Sequence, residues 1–326
     1  YGYDPRVATW SPYHGAQTAV LSSLAKVVTL GGNAETCRLT FQEYFERTTS
    51  DKACGKPTAA LLGALDAQKA MGTASIGGKD SMSGTFENLN VPPTLVSFAV
   101  ATENAKNIQS GDFKQVGSSV YCLFQKYSDD LTPDWISFKE NASRLYQLNK
   151  EGKIRAMYSV LAGGIAEAVS KMSFGNRIGI ELKDEVLPKI FDAIYGSIIV
   201  EADESFAKEI PCLELIGKTI SEQEIRLGSQ TSISIEEAQK AWECKLAKVF
   251  PPVSGKDCEK AVLGSEKTMP DWASNVHESV IEARKNISTL KSSSTAKPKV
   301  ILPVFPGTNC EFDMAPAFAL SGAGPK

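Results

Sequence analysis

Between Ala74 and Gly84, two glycines are followed by a cation, an anion and a pair of hydroxyls: Gly77, Gly78, Lys79, Asp80, Ser81 and Ser83. Glycines let a backbone turn sharply and bring its N–H groups against an anion. Lysine supplies a point charge suited to phosphate, and aspartate is an oxygen ligand of the kind Mg²⁺ requires. The spacing is not that of the common P-loop, because Thr73 stands where an earlier glycine is needed and Asp80 follows the lysine. The residues alone leave two readings open: a loop that holds phosphate and metal, or a glycine turn carrying a surface ion pair.

Other reactive side chains are sparse. His14 and His277 are the two histidines and lie far apart in sequence, which excludes chemistry built on a histidine cluster within these residues. The seven cysteines form no Cys-x-x-Cys pair, which argues against a structural zinc site and for reduced thiols in a cytoplasmic setting. Cys310 follows an apolar run and a glycine turn, yet no histidine follows it, so it reads as a packing residue rather than a nucleophile. His14, beside Tyr13 in a first helical turn, is a candidate ligand contact or a local cap. The net charge of −3 gives no footprint for nucleic acid or an anionic membrane. No apolar run approaches the roughly 20 residues that cross a bilayer.

Elements must hold these groups. Ser11 and Pro12 read as N-cap and first residue of a helix in which Val20, Leu24 and Val27 recur until Gly31-Gly32. A second helix is expected from Pro57 to Met71, its small face (Ala60, Ala64, Ala67) packing on a sheet, with Gly72 as its stop. A strand at 74–76, the glycine loop and a strand at 94–101 complete a first unit. The run Gln42–Arg47 reads as a docking face between domains. From Ser118 onward, apolar runs at 120–124, 153–160, 178–182, 197–200 and 213–219 alternate with helical patterns at 135–148 and 165–172, an α/β arrangement. Ser234 and Glu237 form a capping box for a helix reaching Leu246. A helix over Trp272–Ile287, a polar linker at 292–299 and a buried strand over 300–305 follow.

Several segments, in one order along nearly the whole chain, resemble the large single-chain phosphoribosylformylglycinamidine synthase of purine biosynthesis. They are Trp10–Ala16, Arg38–Arg47, Gly78–Ser83 with the strand at 93–100, Gly163–Ala168, and Phe305–Asp313. The last is similar to the opening strand and turn of a fused class I glutaminase. The resemblance implies an aminoimidazole-ribonucleotide-synthetase-like, two-subdomain α/β fold, with α+β character in the first unit and its N-terminal strands missing. It implies residues 1–115 and 116–290 as the two subdomains, 291–299 as linker and 300–326 as the start of a truncated glutaminase.

The activity implied is an ATP- and glutamine-dependent C–N ligase making formylglycinamidine ribonucleotide from formylglycinamide ribonucleotide, with Mg²⁺ as cofactor. No catalytic residue is expected within the fragment, which is expected to be inactive alone. The implied auxiliary nucleotide site comprises Gly77, Gly78, Lys79, Asp80, Ser81, Gly163 and Gly164, with His14 and Lys26 as further ligand contacts. Gly307, Thr308 and Asn309 would border a glutamine pocket. The family's Glu and Asn metal ligands correspond to Ser22 and Lys26, and two aspartates to Ser159 and Ala162. Asp80 is therefore the one matched carboxylate, and ATP or ADP with Mg²⁺ is expected to bind the fragment weakly or not at all. Expected partners are the first synthetase half and the rest of the glutaminase, or a second copy of the fragment. Two other readings remain open: a non-catalytic half that braces the catalytic one, and a stand-alone ATP-binding synthetase of the same superfamily.

Overall fold

The computed structural model describes residues 1–211, 213–229, 231–249, 299–302, 311–320 and 324–325. Residues Tyr1–Pro252 form one compact unit and Val253–Lys326 a second.

In the first unit, Asp4 opens the short helix α1 (Pro5–Trp10) by accepting the N–H of Arg6, and Ser11 caps α2 (Pro12–Thr29). The cap and the apolar spacing of α2 follow the sequence expectation; α1 has too few residues to show a period. Thirteen residues of α2 are buried, because α3, a sheet and a second sheet's edge strand all close on it. A helix apolar on every side belongs in a core. Helix α3 runs Asp51–Met71, six residues longer than expected at its start. Ser50 accepts the Ala53 N–H and supplies the cap that Pro57 was expected to mark, leaving the proline inside the helix. Its small face meets α2 rather than a sheet, which lets the two helix backbones approach closely.

The first sheet has the order β2 (Ser75–Lys79), β1 (Arg38–Tyr44), β5 (Thr94–Val100), with β1 parallel to β2 and antiparallel to β5. A small hairpin, β3 (Thr85–Phe86) with β4 (Leu89–Asn90), lies between them in sequence. One face of this sheet joins the core through Leu39, Phe41 and Leu95. The opposite face is open: Tyr44, Ile76, Phe98 and Val100 are exposed.

The second sheet has seven strands: β6 (Ser119–Leu123), β7 (Ile154–Ser159), β8 (Gly179–Leu182), β9 (Ile198–Ala202), β10 (Leu213–Ile220), β11 (Glu224–Leu227) and β12 (Thr231–Ser234). Their spatial order is β12-β11-β8-β10-β6-β9-β7, antiparallel except for β8 with β11. Helix α4 (Trp135–Lys150) and α2 cover one face, and α5 (Gly164–Phe174) with α6 (Ile235–Glu243) cover the other. The core between the sheets takes side chains from both, so the change of sheet near residue 115 is not a break in the packing. Strand β9 is buried throughout, and its Glu201 carboxylate accepts the backbone N–H groups of Lys114 and Gln115 at 2.7 and 2.9 Å. The Ser234 cap holds, while α6 stops at Glu243 and a short 3₁₀ turn continues to Leu246.

In the second unit, β13 (Lys299–Val300) pairs in parallel with β14 (Gly324–Pro325), and α7 spans Glu311–Leu320. Ile301 is exposed and β13 ends before it, so the expected buried strand is limited to its first residues among those described. The expected helix at 272–287, most of the linker, and Gly307, Thr308, Asn309 and Cys310 lie outside the described residues. Among the described residues, no helix is long and apolar enough to cross a membrane.

Candidate functional site

Among the described residues, the structure gathers the expected site residues other than His14 into two places. The first is the β1–β2 edge of the open sheet. Residues Gly77, Gly78 and Lys79 are not a loop but the end of strand β2, in register with β1: Phe41 faces Gly78 and Gln42 faces Lys79. The ladder runs on past the strand, with Ser81 N–H donating to the Glu43 carbonyl at 3.0 Å and Phe45 N–H to the Ser81 carbonyl at 2.9 Å. Pairing with β1 therefore claims backbone groups that the sequence reading assigned to an anion. Gly78 is required because a Cβ there would collide with the Phe41 carbonyl. The Lys79 ammonium lies 5.2 Å from the centre of the Tyr44 ring, and Ser81 shares a hydrogen bond with Ser83.

The continued register sets Asp80 opposite Glu43. The expected docking face at 42–47 proves to be β1 and its exit: Glu43 and Phe45 point inward, and Glu46 pairs with Lys56 and Asn90. Glu43 is 5% exposed and its Oε1 has no hydrogen-bond partner among the described residues. Burial, reinforced by the charge of Asp80, pushes its carboxyl up to about 7. With Phe41, Leu61, Gly77, Gly78, Lys79 and Asp80 it lines a cavity of about 280 Å³. Sequence reasoning missed Glu43. The signal was present as a carboxylate in the buried row Leu39, Phe41, Glu43, Phe45 of an alternating strand.

The second place is the turn between β7 and α5, facing α2. Gly163 and Gly164 open α5, as the resemblance implied; a helix start attracts anions, although here the Gly164 N–H donates to the Leu161 carbonyl at 3.0 Å and the Ala166 N–H to the Ile190 carbonyl at 2.9 Å. Here the anion is internal. Glu167 turns back so that its Oε2 accepts the Gly163 N–H at 2.8 Å, while Lys171 donates to its Oε1 at 2.5 Å. A Cβ on Gly163 would stand 2.6 Å from the Glu167 Cβ, so glycine is what admits this fold-back. Burial raises the Glu167 carboxyl, but the hydrogen bonds from Lys171 and Gly163 and the charges of Lys171 and Lys26 outweigh it and hold it below the usual range. Lys26 is lowered by burial and by Lys171, with Glu167 opposing; its ammonium donates to the Tyr1 carbonyl at 2.8 Å and lies over the Tyr1 ring.

These residues do not fit a magnesium ion. Ser22 is buried with an unpartnered hydroxyl, Ser159 is buried, Ala162 has no donor, and Lys26 brings positive charge. The nearby carboxylate, Glu167, is already held by two cationic or N–H donors. Among the described residues, no group of three or more His, Cys, Asp or Glu side chains is arranged for a metal. His14 belongs to neither place. Its Nε2 donates to the Asp130 carbonyl at 2.9 Å and its Nδ1 shares a 2.8 Å hydrogen bond with the Ser11 hydroxyl. It borders a groove of about 720 Å³ with Trp10, Tyr127, Phe191 and Tyr195. Asp4, at the floor of that groove, is desolvated, yet hydrogen bonds from Arg6 and the Tyr195 hydroxyl pull its carboxyl down to about 2.

The fold is of the aminoimidazole-ribonucleotide-synthetase type. It is shared with Thermotoga maritima PurL complexed with AMPPCP (TM-score 0.59, 14% identity, 83% of this chain and 48% of that one). It is also shared with the hydrogenase maturation protein HypE (TM-score 0.52, 13% identity, 68% of this chain and 81% of that one). The sequence itself is similar to phosphoribosylformylglycinamidine synthases, as the ordered motifs indicated. The PurL subunit of Pyrococcus furiosus is 26% identical over 236 residues, 66% of this chain and 33% of the relative. The synthase of Schizosaccharomyces pombe is 25% identical over 235 residues, 64% of this chain and 17% of the relative. The chain thus spans about a third of the archaeal subunit's length. No family model matches the chain.

Proposed function

We propose that this chain is part of an ATP- and glutamine-dependent ligase that converts formylglycinamide ribonucleotide to formylglycinamidine ribonucleotide, and that it serves there as a bracing half rather than the catalytic one. The observation that carries this is Glu167. It occupies the glycine-opened helix start where the resemblance would seat a nucleotide phosphate, with Lys171 bonded to it and Lys26, which stands in place of a metal ligand, nearby. A transferring phosphoryl group needs fixed positive charge and usually magnesium around it. In this half the fixed positive charge is already neutralised by the chain's own carboxylate.

The open sheet supports the same reading. Its open face carries the exposed apolar residues Tyr44, Ile76, Phe98 and Val100 beside Arg38, Thr40 and Gln42 of β1. Exposed large apolar side chains rimmed by polar ones suit a contact site. In the proposed enzyme that contact is the catalytic synthetase half, with a glutaminase domain as ammonia source. The test is an assay of the full-length protein containing this chain, and of the chain alone, for formylglycinamidine ribonucleotide made from formylglycinamide ribonucleotide, ATP and glutamine. The full-length protein turns over and the chain alone does not. No product from the full-length protein refutes the ligase assignment, and product from the chain alone refutes the bracing role.

A further inference from the structure

We infer that the groove of about 720 Å³ beside His14 binds a neutral, planar ring that carries an amide, a ligand class apart from the nucleotide and magnesium that the resemblance implies. Nothing in the groove depends on the reading above.

Three segments of the first unit build it: α1 with the start of α2, the loop that leaves β6, and the loop that enters β9. Its volume is that of pockets that enclose small organic ligands. Trp10, Leu131 and Phe191 are 62%, 56% and 70% exposed, so three large apolar side chains stand in water around one concavity. Single exposed apolar residues are ordinary, but grouped around a groove they mark a site. Tyr127 and Tyr195 add two rings, fixed as walls because their hydroxyls donate to the Tyr195 carbonyl and to Asp4. Such walls suit a flat ring that can stack on them. Leu131 is held at φ +65°, in the left-handed region, with its N–H on the Ser128 carbonyl at 2.9 Å. A bulky residue rarely adopts that conformation, and strain of this kind gathers at ligand-holding loops.

The polar groups define what the ring carries. Gln125 is 7% exposed, and its Nε2 donates to the Lys126 and Asp134 carbonyls at 2.8 and 3.0 Å. Those two acceptors fix the orientation of its amide and leave its Oε1 without a donor among the described residues. The Thr18 hydroxyl, also on a residue 7% exposed, has no partner among the described residues either. What sets these two groups apart is convergence, since both residues line the same groove. One amide supplies an N–H for the Gln125 oxygen and a carbonyl for the Thr18 hydroxyl. His14 has both ring nitrogens bonded within the protein, so it contributes a wall. Asp4 and Arg6, the oppositely charged pair in the lining, meet each other at 2.9 Å. With those charges cancelled, a neutral ligand is preferred over an ion, which would be desolvated without compensation.

The test is saturation-transfer NMR on the full 326-residue chain with benzamide as probe. Two further probes are methyl benzoate, which keeps the ring and carbonyl but lacks the N–H, and benzoate, which is charged. Saturable benzamide binding with a Kd below about 2 mM is expected, and each of the other probes should bind at least about tenfold more weakly. Trp10→Ala and Phe191→Ala, both at exposed positions, should weaken benzamide by about fivefold or more. Thr18→Val, which keeps the shape, should weaken it by about threefold or more. Trp242→Ala, at an exposed position on α6, should leave it unchanged. Absence of saturable benzamide binding, equal or tighter binding of methyl benzoate or benzoate, or binding that survives both Trp10→Ala and Phe191→Ala overturns the assignment. Each of these results leaves the ligase assay unaffected.

Discussion

At Gly163 the chain folds its own carboxylate back onto a helix start and clamps it with Lys171, while at Gly78 it lays a glycine strand beside a buried carboxylate that nothing answers. Both glycine pairs read alike in sequence, as places for an anion. In space they hold opposite chemistry. Glu167 is satisfied and held ionised; the Oε1 of Glu43 has no hydrogen-bond partner among the described residues, and its proton is retained to about pH 7. The same division separates the sheets. The seven-stranded sheet is covered on both faces, and the three-stranded sheet keeps an apolar face bare. The covered sheet and the open sheet are different regions of one compact unit.

The largest effect expected from this contrast is in pH dependence. Because the folded-state pKa of Glu43 is raised from an ordinary 4.5 to about 7, the folded protein retains a proton that the unfolded chain releases. That contribution is present in full below about pH 4.5 and is lost as pH rises through 7, a change of about 3 kcal/mol for this shift. Urea unfolding in chelator, repeated from pH 4.5 to 8, should show this decline in the wild type and a flatter profile in Glu43→Gln. Equal slopes in the two proteins would break the contrast at its open end.

Glu167 should titrate with the opposite sign. Its lowered pKa gives stability that is present above the usual glutamate range and lost as pH falls below it. Glu167→Ala is expected to cost about 2 kcal/mol at neutral pH, since an N–H and an ammonium lose their acceptor. The gap to wild type should narrow in acid. The same variant should gain affinity for inorganic phosphate by about tenfold, or 1.4 kcal/mol, because the Gly163 N–H and Lys171 are uncovered beside the charge of Lys26. Calorimetry showing no gain would mean that Glu167 merely covers a site of no anion affinity.

The smallest effect on stability belongs to the bare sheet face. Ile76→Lys and Val100→Lys change residues that are 77% and 63% exposed, so each should shift unfolding by less than about 0.5 kcal/mol. Sedimentation of the wild-type chain should nonetheless show self-association through this face in the absence of the other synthetase half, and both variants should reduce it. A strictly monomeric wild type would show that the apolar face needs no cover.

How much of this was legible beforehand depended on whether the signal was local. The cap at Ser11, the apolar spacing of α2, and the runs of β6 to β10 are written in neighbouring residues, and they form as read. The start of α3 was misjudged because Pro57 looked like a first residue, whereas Ser50 provides the cap earlier in the sequence, about two turns before it. Gly77–Lys79 read as a loop because glycine disfavours strands; the partner strand β1, 36 residues upstream of Ser75 at Leu39, overrides that preference. Glu43 and Glu167 were overlooked as site residues for a common reason. Their importance depends on whether a partner reaches them, and partners are a property of packing rather than spacing.

The central claim is that the glycine turn at α5 is filled from within and that this half braces rather than binds. Titration calorimetry of the wild-type chain with MgADP tests it most directly. No saturable binding in the micromolar range is expected, because Glu167 occupies the helix start and Ser22, Lys26, Ser159 and Ala162 provide no metal-binding carboxylate. A submicromolar dissociation constant, about −8 kcal/mol or stronger, would contradict it.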